Sequence, residues 1–373
     1  MLVEKITEKS PRVLVIRSGA IGDTLMATPL LRALRQTYPN AYLGAVCSGT
    51  AYDIFRYNPH LDEVFPLVYR HLPNWLSFEK RRLIRHLRLL ELDSILALES
   101  NPIFTKLACR IGAERIITYG ESNLCDNLEM LKPGVNEHSI QTHLRAGESV
   151  GAKSAGTDME FHYLPEVDLA VRKRLQNDGI GERDLLIGIH AGWGGRQQHP
   201  TDTRLRSWPA DRFASVVRGL SETRSAKIVL TGSGSDRPLN EFIADSANVP
   251  CHNLAGQLSL LESAAMIRRM NLYITIDSGP AHMAAALGTP LITLWGPGIF
   301  TATAPISGKS PVKIIRSPPP CAPCYGTPLL KSCRDNVCMK QIAVEDVKNA
   351  AEELLRVKCK LTEKKAGTTQ SRL

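Results

Sequence analysis

Ile274-Thr275-Ile276-Asp277-Ser278-Gly279-Pro280-Ala281-His282-Met283-Ala284-Ala285-Ala286-Leu287-Gly288-Thr289-Pro290 reads as the end of a buried strand, a sharp polar turn and a short helix. Leu272 to Ile276 is apolar and β-branched almost without alternation, as expected of a parallel strand covered by helices on both faces. Asp277 then falls at the strand's carboxyl end. Ser278 can cap the helix, Pro280 suits a first turn that needs no N–H, and Gly288 with Pro290 ends it. The free N–H groups at Ser278 and Gly279, with the positive end of the helix dipole, favour a phosphate. Leu291 to Leu294 follows as the next strand and completes a βαβ unit. An Asp and a Ser at such a turn also serve as plain caps, so the rest of the chain must decide between cap and site.

The chain has 373 residues, enough for two domains with a core each. Its 46 Lys and Arg against 37 Asp and Glu leave +9, which suggests an anionic partner: a nucleotide, a phosphorylated lipid, a membrane surface or nucleic acid. Residues 1–12 carry Glu4, Lys5, Glu8, Lys9 and Arg12 and no apolar run, so no secretory signal is expected and the cytoplasm is the expected location. Residues 278–308 lack charge but are too densely punctuated by glycine and proline for a membrane span, which leaves only peripheral membrane contact. Nine cysteines in a cytosolic chain are expected to be reduced, so a clustered set suggests metal before disulfide.

In chain order, Val13 to Ile16 is the first strand and Arg17-Ser18-Gly19-Ala20-Ile21-Gly22-Asp23-Thr24 a glycine-containing loop after it. Either Thr28 caps a helix beginning at Pro29, or an earlier turn from Asp23 is kinked there; both place Asp23 near the strand's carboxyl end. Gly19 and Gly22 let the backbone approach a ligand, but the dinucleotide fingerprint and its later acidic residue are missing, which argues against a nicotinamide cofactor. Strands are expected at Ala41 to Val46, Glu63 to Leu67, Ser94 to Leu98 and Arg115 to Tyr119, alternating with helices, an open α/β half. The helix from Glu79 to Glu91 sets Lys80, Arg81, Arg82, Arg85 and Arg88 against Leu83, Ile84, Leu87 and Leu90, a face for anionic lipid or simply a solvated outer side.

A linker is placed at Leu164 to Asp168, giving domains 1–166 and 167–357 and a disordered basic tail over 358–373. The second half restarts with a strand at Leu185 to His190. A polar loop from Ala191 to Ser207 follows, then a helix from Trp208-Pro209 to about Glu222. The next strand, Lys227 to Leu230, ends in Thr231-Gly232-Ser233-Gly234-Ser235-Asp236, and a helix spans Leu260 to Met270. Ends of parallel strands share one sheet edge, so three loops bearing glycine, hydroxyl and arginine groups can converge on one anion. Arg206 is the arginine best placed to neutralise a diphosphate, with Arg196 and Arg204 as competitors.

With these residues in place the chain resembles family-9 glycosyltransferases, the ADP-heptose:lipopolysaccharide heptosyltransferases. The resemblance rests on Arg17 to Leu25, on His190-Ala191-Gly192 with Arg206-Ser207-Trp208-Pro209-Ala210-Asp211-Arg212-Phe213, and on Asp277 to His282 with Trp295-Gly296-Pro297, and covers roughly residues 11–356. It implies a GT-B fold, two Rossmann-like doubly wound α/β domains facing a cleft, the first binding acceptor and the second nucleotide sugar. It implies an inverting transfer of heptose from ADP-heptose to a lipopolysaccharide core or related surface-glycan acceptor, with no cofactor required for catalysis. Asp23 stands as the general base, with Ser18, Gly19 and Gly22 in its loop. Arg206 stands at donor phosphate, where heptosyltransferases often have lysine, and Asp277 at donor sugar. Ser278 and Gly279 would hold the diphosphate, with Gly192, His282 and Asp236 as further donor contacts. A GT-B transferase with another nucleotide sugar, a nucleotide-sugar epimerase and a non-enzymatic anionic-lipid-binding protein are the competing readings. Nucleic acid is not expected, because no aromatic platform interleaves with the basic residues.

Cys321, Cys324, Cys333 and Cys338 form a separate signal, four thiols in one short proline-flanked stretch. The set suits a structural zinc or iron knuckle without an open coordination position; four unligated thiols in a packed loop is the alternative. A final helix is expected from Val344 to Val357.

Overall fold

The computed structural model describes residues 10–67, 77–119, 124–193 and 205–356. The tail over 358–373 and the loop residues Gly194, Gly195, Arg196 and Arg204 lie outside the described residues. Contacts divide the chain into two compact units, residues 1–162 and 163–373.

Each unit is built on a six-stranded sheet. In the first, β1 (Arg12–Ile16), β2 (Tyr42–Cys47), β3 (Glu63–Pro66), β4 (Ser94–Ala97), β5 (Arg115–Thr118) and β6 (Leu128–Met130) lie in the order β3-β2-β1-β4-β5-β6, every pair parallel. In the second, β7 (Leu186–His190), β8 (Lys227–Leu230), β9 (Cys251–Asn253), β10 (Leu272–Ile276), β11 (Leu291–Trp295) and β12 (Val312–Arg316) lie in the order β12-β11-β10-β7-β8-β9, again all parallel. Counted within its own unit, the second sheet repeats the first. The chain therefore reverses its winding between β1 and β4, and again between β7 and β10. A doubly wound sheet opens a crevice at such points, outside the strands' carboxyl ends.

The central strands form where the sequence is continuously apolar: all five residues of β10 and of β7 are buried. β6, β9 and β12 were not expected from sequence. β9 has three half-buried residues and β12 is largely half-buried, so neither carries the buried-strand signature. Their backbones are nonetheless drawn in by the open ladder of the neighbouring strand.

Gly188 of β7 faces Tyr273 of β10 in register. A Cβ at Gly188 would lie 2.6 Å from the Tyr273 ring and 2.0 Å from the Met270 sulfur. Tyr273 is fully buried and its hydroxyl sits 2.8 Å from Thr231 Oγ1, so the ring cannot retreat without losing that bond. Gly188→Ala is expected to lower the unfolding free energy by about 2 kcal/mol through overpacking. Urea unfolding at unchanged m-value checks it; a loss below about 0.5 kcal/mol would mean that Met270 swings aside freely.

Several local expectations are corrected. A short helix already spans Ile21–Leu25 and a second spans Thr28–Thr37, so Gly22 and Asp23 are helical rather than in a loop. Thr28 does not cap; its hydroxyl donates back to the Leu25 carbonyl at 2.7 Å. The helix after Trp208-Pro209 begins at Ala210, because Pro209 is extended, and runs to Arg224. In the helix Phe78–Arg88, Lys80 is buried rather than on the basic outer side, where Arg81, Arg82, Arg85 and Arg88 are exposed. Cys109 and Cys125 are joined in a disulfide, against the expectation of reduced thiols; their Cα atoms lie 6.0 Å apart and both pack on the first unit's core. The last helix covers 344–356. Among the described residues no helix is long and apolar enough to cross a membrane.

Candidate active site

In the second unit the reversal between β7 and β10 brings together two of the predicted residues. Asp277 leaves the end of β10, and Arg206 reaches it with Nη1 3.2 Å from Asp277 Oδ2. Their side chains are only 10% and 11% exposed. The carboxylate is backed by the turn after β11: a Cβ at Gly298 would fall 2.4 Å from Asp277 Oδ2, and the Trp295 indole N–H closes that turn by donating to the Gly298 carbonyl at 3.0 Å. The guanidinium packs over two aromatic rings, 4.3 Å from the centroid of Trp193 and 3.9 Å from that of Tyr325, and its Nε has no hydrogen-bond partner.

The helix Gly279–Leu287 starts beside this pair, buried through Ala281–Ala286 and ended by Gly288 in the left-handed region at φ 75°. Ser278 occupies the cap position but does not cap. Its hydroxyl turns back toward the Ile276 carbonyl and Thr275 Oγ1, each at 3.2 Å, so the first helical N–H groups receive no side-chain oxygen from it. That helix end, next to a fixed guanidinium, suits an anion better than a satisfied cap would. His282 is buried in the same helix.

Gly192 and Asp236 also come together, but with each other. Asp236 Oδ2 accepts from the Ser233 N–H at 2.8 Å and from its hydroxyl at 2.9 Å, closing the turn after β8. A Cβ at Gly192 would lie 2.2 Å from Asp236 Oδ1, so the glycine makes room for this carboxylate. His190, at the end of β7, is held below its ordinary pKa by burial and stays neutral near pH 7, although Asp236 pulls the other way.

In the first unit, Asp23 projects from the first turn of Ile21–Leu25 with its side chain 46% exposed. Arg17, at the end of β1, is buried and faces it with Nη2 3.5 Å from Asp23 Oδ1. Arg17 also donates to the Asp23 and Leu98 carbonyls and lies 3.7 Å from Glu99, whose Oε1 accepts from the Ser18 N–H at 2.7 Å. The guanidinium is thus fixed across the β1–β4 switch point, and it orients a carboxylate that keeps an open face. Gly19 serves that packing, because a Cβ there would lie 2.9 Å from Asp23 Cβ. Behind Arg17, Tyr119 and the fully buried His143 share a 2.7 Å hydrogen bond; burial first, then Arg17, holds His143 well below its ordinary pKa. Arg17 and Glu99 were not singled out from sequence, although Arg17 heads the motif that contains Asp23.

Of the four clustered cysteines, Cys321, Cys324 and Cys333 lie in loops around the short helix Pro328–Ser332 and Cys338 in the helix Val337–Lys340; Cys324 and Cys338 are buried and Cys321 is exposed. Burial, then the neighbouring thiols, push Cys324 up and Cys338 up to about 11. Among the described residues, no three His, Cys, Asp or Glu side chains are gathered closely enough to hold a metal ion.

Two doubly wound parallel sheets in series are the architecture of the GT-B fold class. The family model described as "Glycosyltransferase family 9 (heptosyltransferase)" matches residues 198–332 of this chain. Lipopolysaccharide heptosyltransferase 2 of Salmonella typhimurium is 25% identical over 315 residues, covering 81% of this chain and 87% of that one. Among solved structures, a family-9 glycosyl transferase from Veillonella parvula matches with TM-score 0.76 at 23% identity, over 92% of this chain and 97% of its own. ADP-heptose lipopolysaccharide heptosyltransferase II of E. coli matches with TM-score 0.71 at 20% identity, over 93% and 99%. The two structural likenesses establish the fold.

Proposed function

We propose that this chain transfers a heptose from ADP-heptose to a hydroxyl of a lipopolysaccharide core, or of a related surface glycan, with inversion at the anomeric carbon. The observation that carries the reading is the Arg206–Asp277 pair at the start of the helix Gly279–Leu287, a buried guanidinium beside a helix start that has no side-chain cap. The names of the relatives support heptose as the sugar.

In the reaction, Asp23 takes the proton of the acceptor hydroxyl while that oxygen bonds to the anomeric carbon. The bond from that carbon to the β-phosphate oxygen breaks, and its electron pair leaves with ADP. The leaving diphosphate needs its charge met more than it needs a proton, so one carboxylate and a set of donors suffice. Arg206, with the N–H groups of Ser278 and Gly279, meets that charge; Asp277 binds the sugar. The first unit takes the acceptor, the second the donor, and no cofactor enters the chemistry. The exposed Arg81, Arg82, Arg85 and Arg88, next to exposed Phe78 and Leu89, support peripheral contact with an anionic membrane from the cytoplasmic side.

Calorimetric titration with ADP, UDP and GDP tests the donor reading. Selective ADP binding, followed by heptose transfer to lipid A-core acceptor, is the expected result. Preference for UDP or GDP would move the sugar elsewhere, and no binding would overturn the donor site.

Four thiols in one stretch match structural zinc or iron in ligand type, although the described side chains are not gathered closely enough to hold an ion, so binding would have to draw them together. We expect about one metal ion per chain, lost together with several degrees of Tm in Cys324→Ser. Elemental analysis of protein grown in zinc- or iron-supplemented medium checks this, and metal well below stoichiometric would exclude it.

A further inference from the structure

The cysteine-rich stretch and the segment carrying Arg206 are bolted together residue by residue. Leu205 packs against Cys324 and Leu330, while the next residue of each segment forms the Arg206–Tyr325 stack. Asn336, between the third and fourth cysteines, donates its Nδ2 to the Ser207 carbonyl at 2.8 Å and to the Leu205 carbonyl at 3.4 Å, so it grips the backbone on both sides of Arg206. The Cys324 and Tyr325 N–H groups both bond to the Pro297 carbonyl, at 3.1 and 3.0 Å. Pro297 precedes Gly298, the residue pressed on Asp277. One short segment, Cys324 to Asn336, therefore holds the arginine's backbone, packs a ring on its guanidinium and holds the turn behind its carboxylate partner.

A guanidinium with an unpartnered Nε would swing freely if only one hydrogen bond held it. Two aromatic rings packed over it, at 4.3 and 3.9 Å, restrict that motion. The geometry points to Tyr325 and Trp193 as positioning residues that aim Arg206 at the donor diphosphate, and to the cysteine-rich loop as the frame that delivers Tyr325. The inference rests on the donor reading of Arg206 given above.

Calorimetry with ADP, together with donor saturation kinetics, tests it. Tyr325→Leu is expected to weaken ADP binding about tenfold and to raise the donor KM more than it lowers kcat. Tyr325→Phe restores the binding lost in Tyr325→Leu, since a ring face suffices. Trp193→Leu repeats the loss at the second ring and keeps the test open if Tyr325→Leu does not fold. In an Arg206→Ala background the Tyr325→Leu change should add less than about twofold, because its effect passes through the arginine. Wild-type affinity in both Tyr325→Leu and Trp193→Leu overturns the positioning role. So does a Tyr325→Leu loss that adds in full to that of Arg206→Ala, since the ring would then contact the nucleotide itself. Undiminished ADP binding by Arg206→Ala alone would instead overturn the donor reading.

Discussion

Asp23→Asn is expected to cut transfer by a factor of about 100 to 10,000 while leaving ADP affinity unchanged, the range spanned by a positioned general base. The substitution keeps the shape of the side chain but removes its capacity to take a proton. Its structural cost is small, because the carboxylate is 46% exposed and its ion pair with Arg17 spans 3.5 Å. Arg17 itself is anchored elsewhere, by the Leu98 carbonyl and by Glu99, so it does not depend on Asp23 for its place. A stability effect and a catalytic effect can therefore be told apart. The measurement is single-turnover transfer from ADP-heptose to lipid A-core acceptor, run beside ADP titration and thermal unfolding. If Asp23→Asn transferred within about tenfold of wild type, the base would have to be sought in another residue.

How far the sequence could be read depended on where each signal came from. β1, β4, β7, β8, β10 and β11 were legible because buried parallel strands must be apolar on both faces. β6 and β9 were not, because three residues at a sheet edge owe their conformation to a neighbour's open backbone ladder. Arg206 and Asp277 were legible as separate loop residues; their 3.2 Å contact follows from the topology that sets β7 beside β10. The aromatic stack on Arg206 was not legible at all. Trp193 and Arg206 stand near the two ends of one long loop and Tyr325 lies far down the chain, and no periodicity links them. Ser278 misled for a local reason: a hydroxyl that can accept from a helical N–H can equally donate back into the turn, as it does toward Ile276. The Cys109–Cys125 bond was missed because the expectation for thiols was drawn from compartment, whereas their pairing follows from two residues meeting on one core.

Arg206→Ala is the second large effect we expect: a loss of about 100- to 1,000-fold in kcat/KM, with ADP affinity reduced by about 10- to 100-fold. Two contributions combine. The diphosphate loses a forked cation where charge develops as the leaving group departs. Asp277 loses the guanidinium that balances it, and a carboxylate nine-tenths buried beside a diphosphate then repels the ligand it helps to bind in the wild type. Arg206→Lys separates the two, since the ammonium still balances Asp277 but has neither the fork nor the flat face that Trp193 and Tyr325 hold. It should fall between wild type and alanine, recovering more in ADP affinity than in turnover. Were lysine no better than alanine, the planar geometry of the arginine would outweigh its charge. Were alanine to bind ADP as wild type does, the diphosphate would have to sit elsewhere, and Arg206 would be a purely structural partner of Asp277.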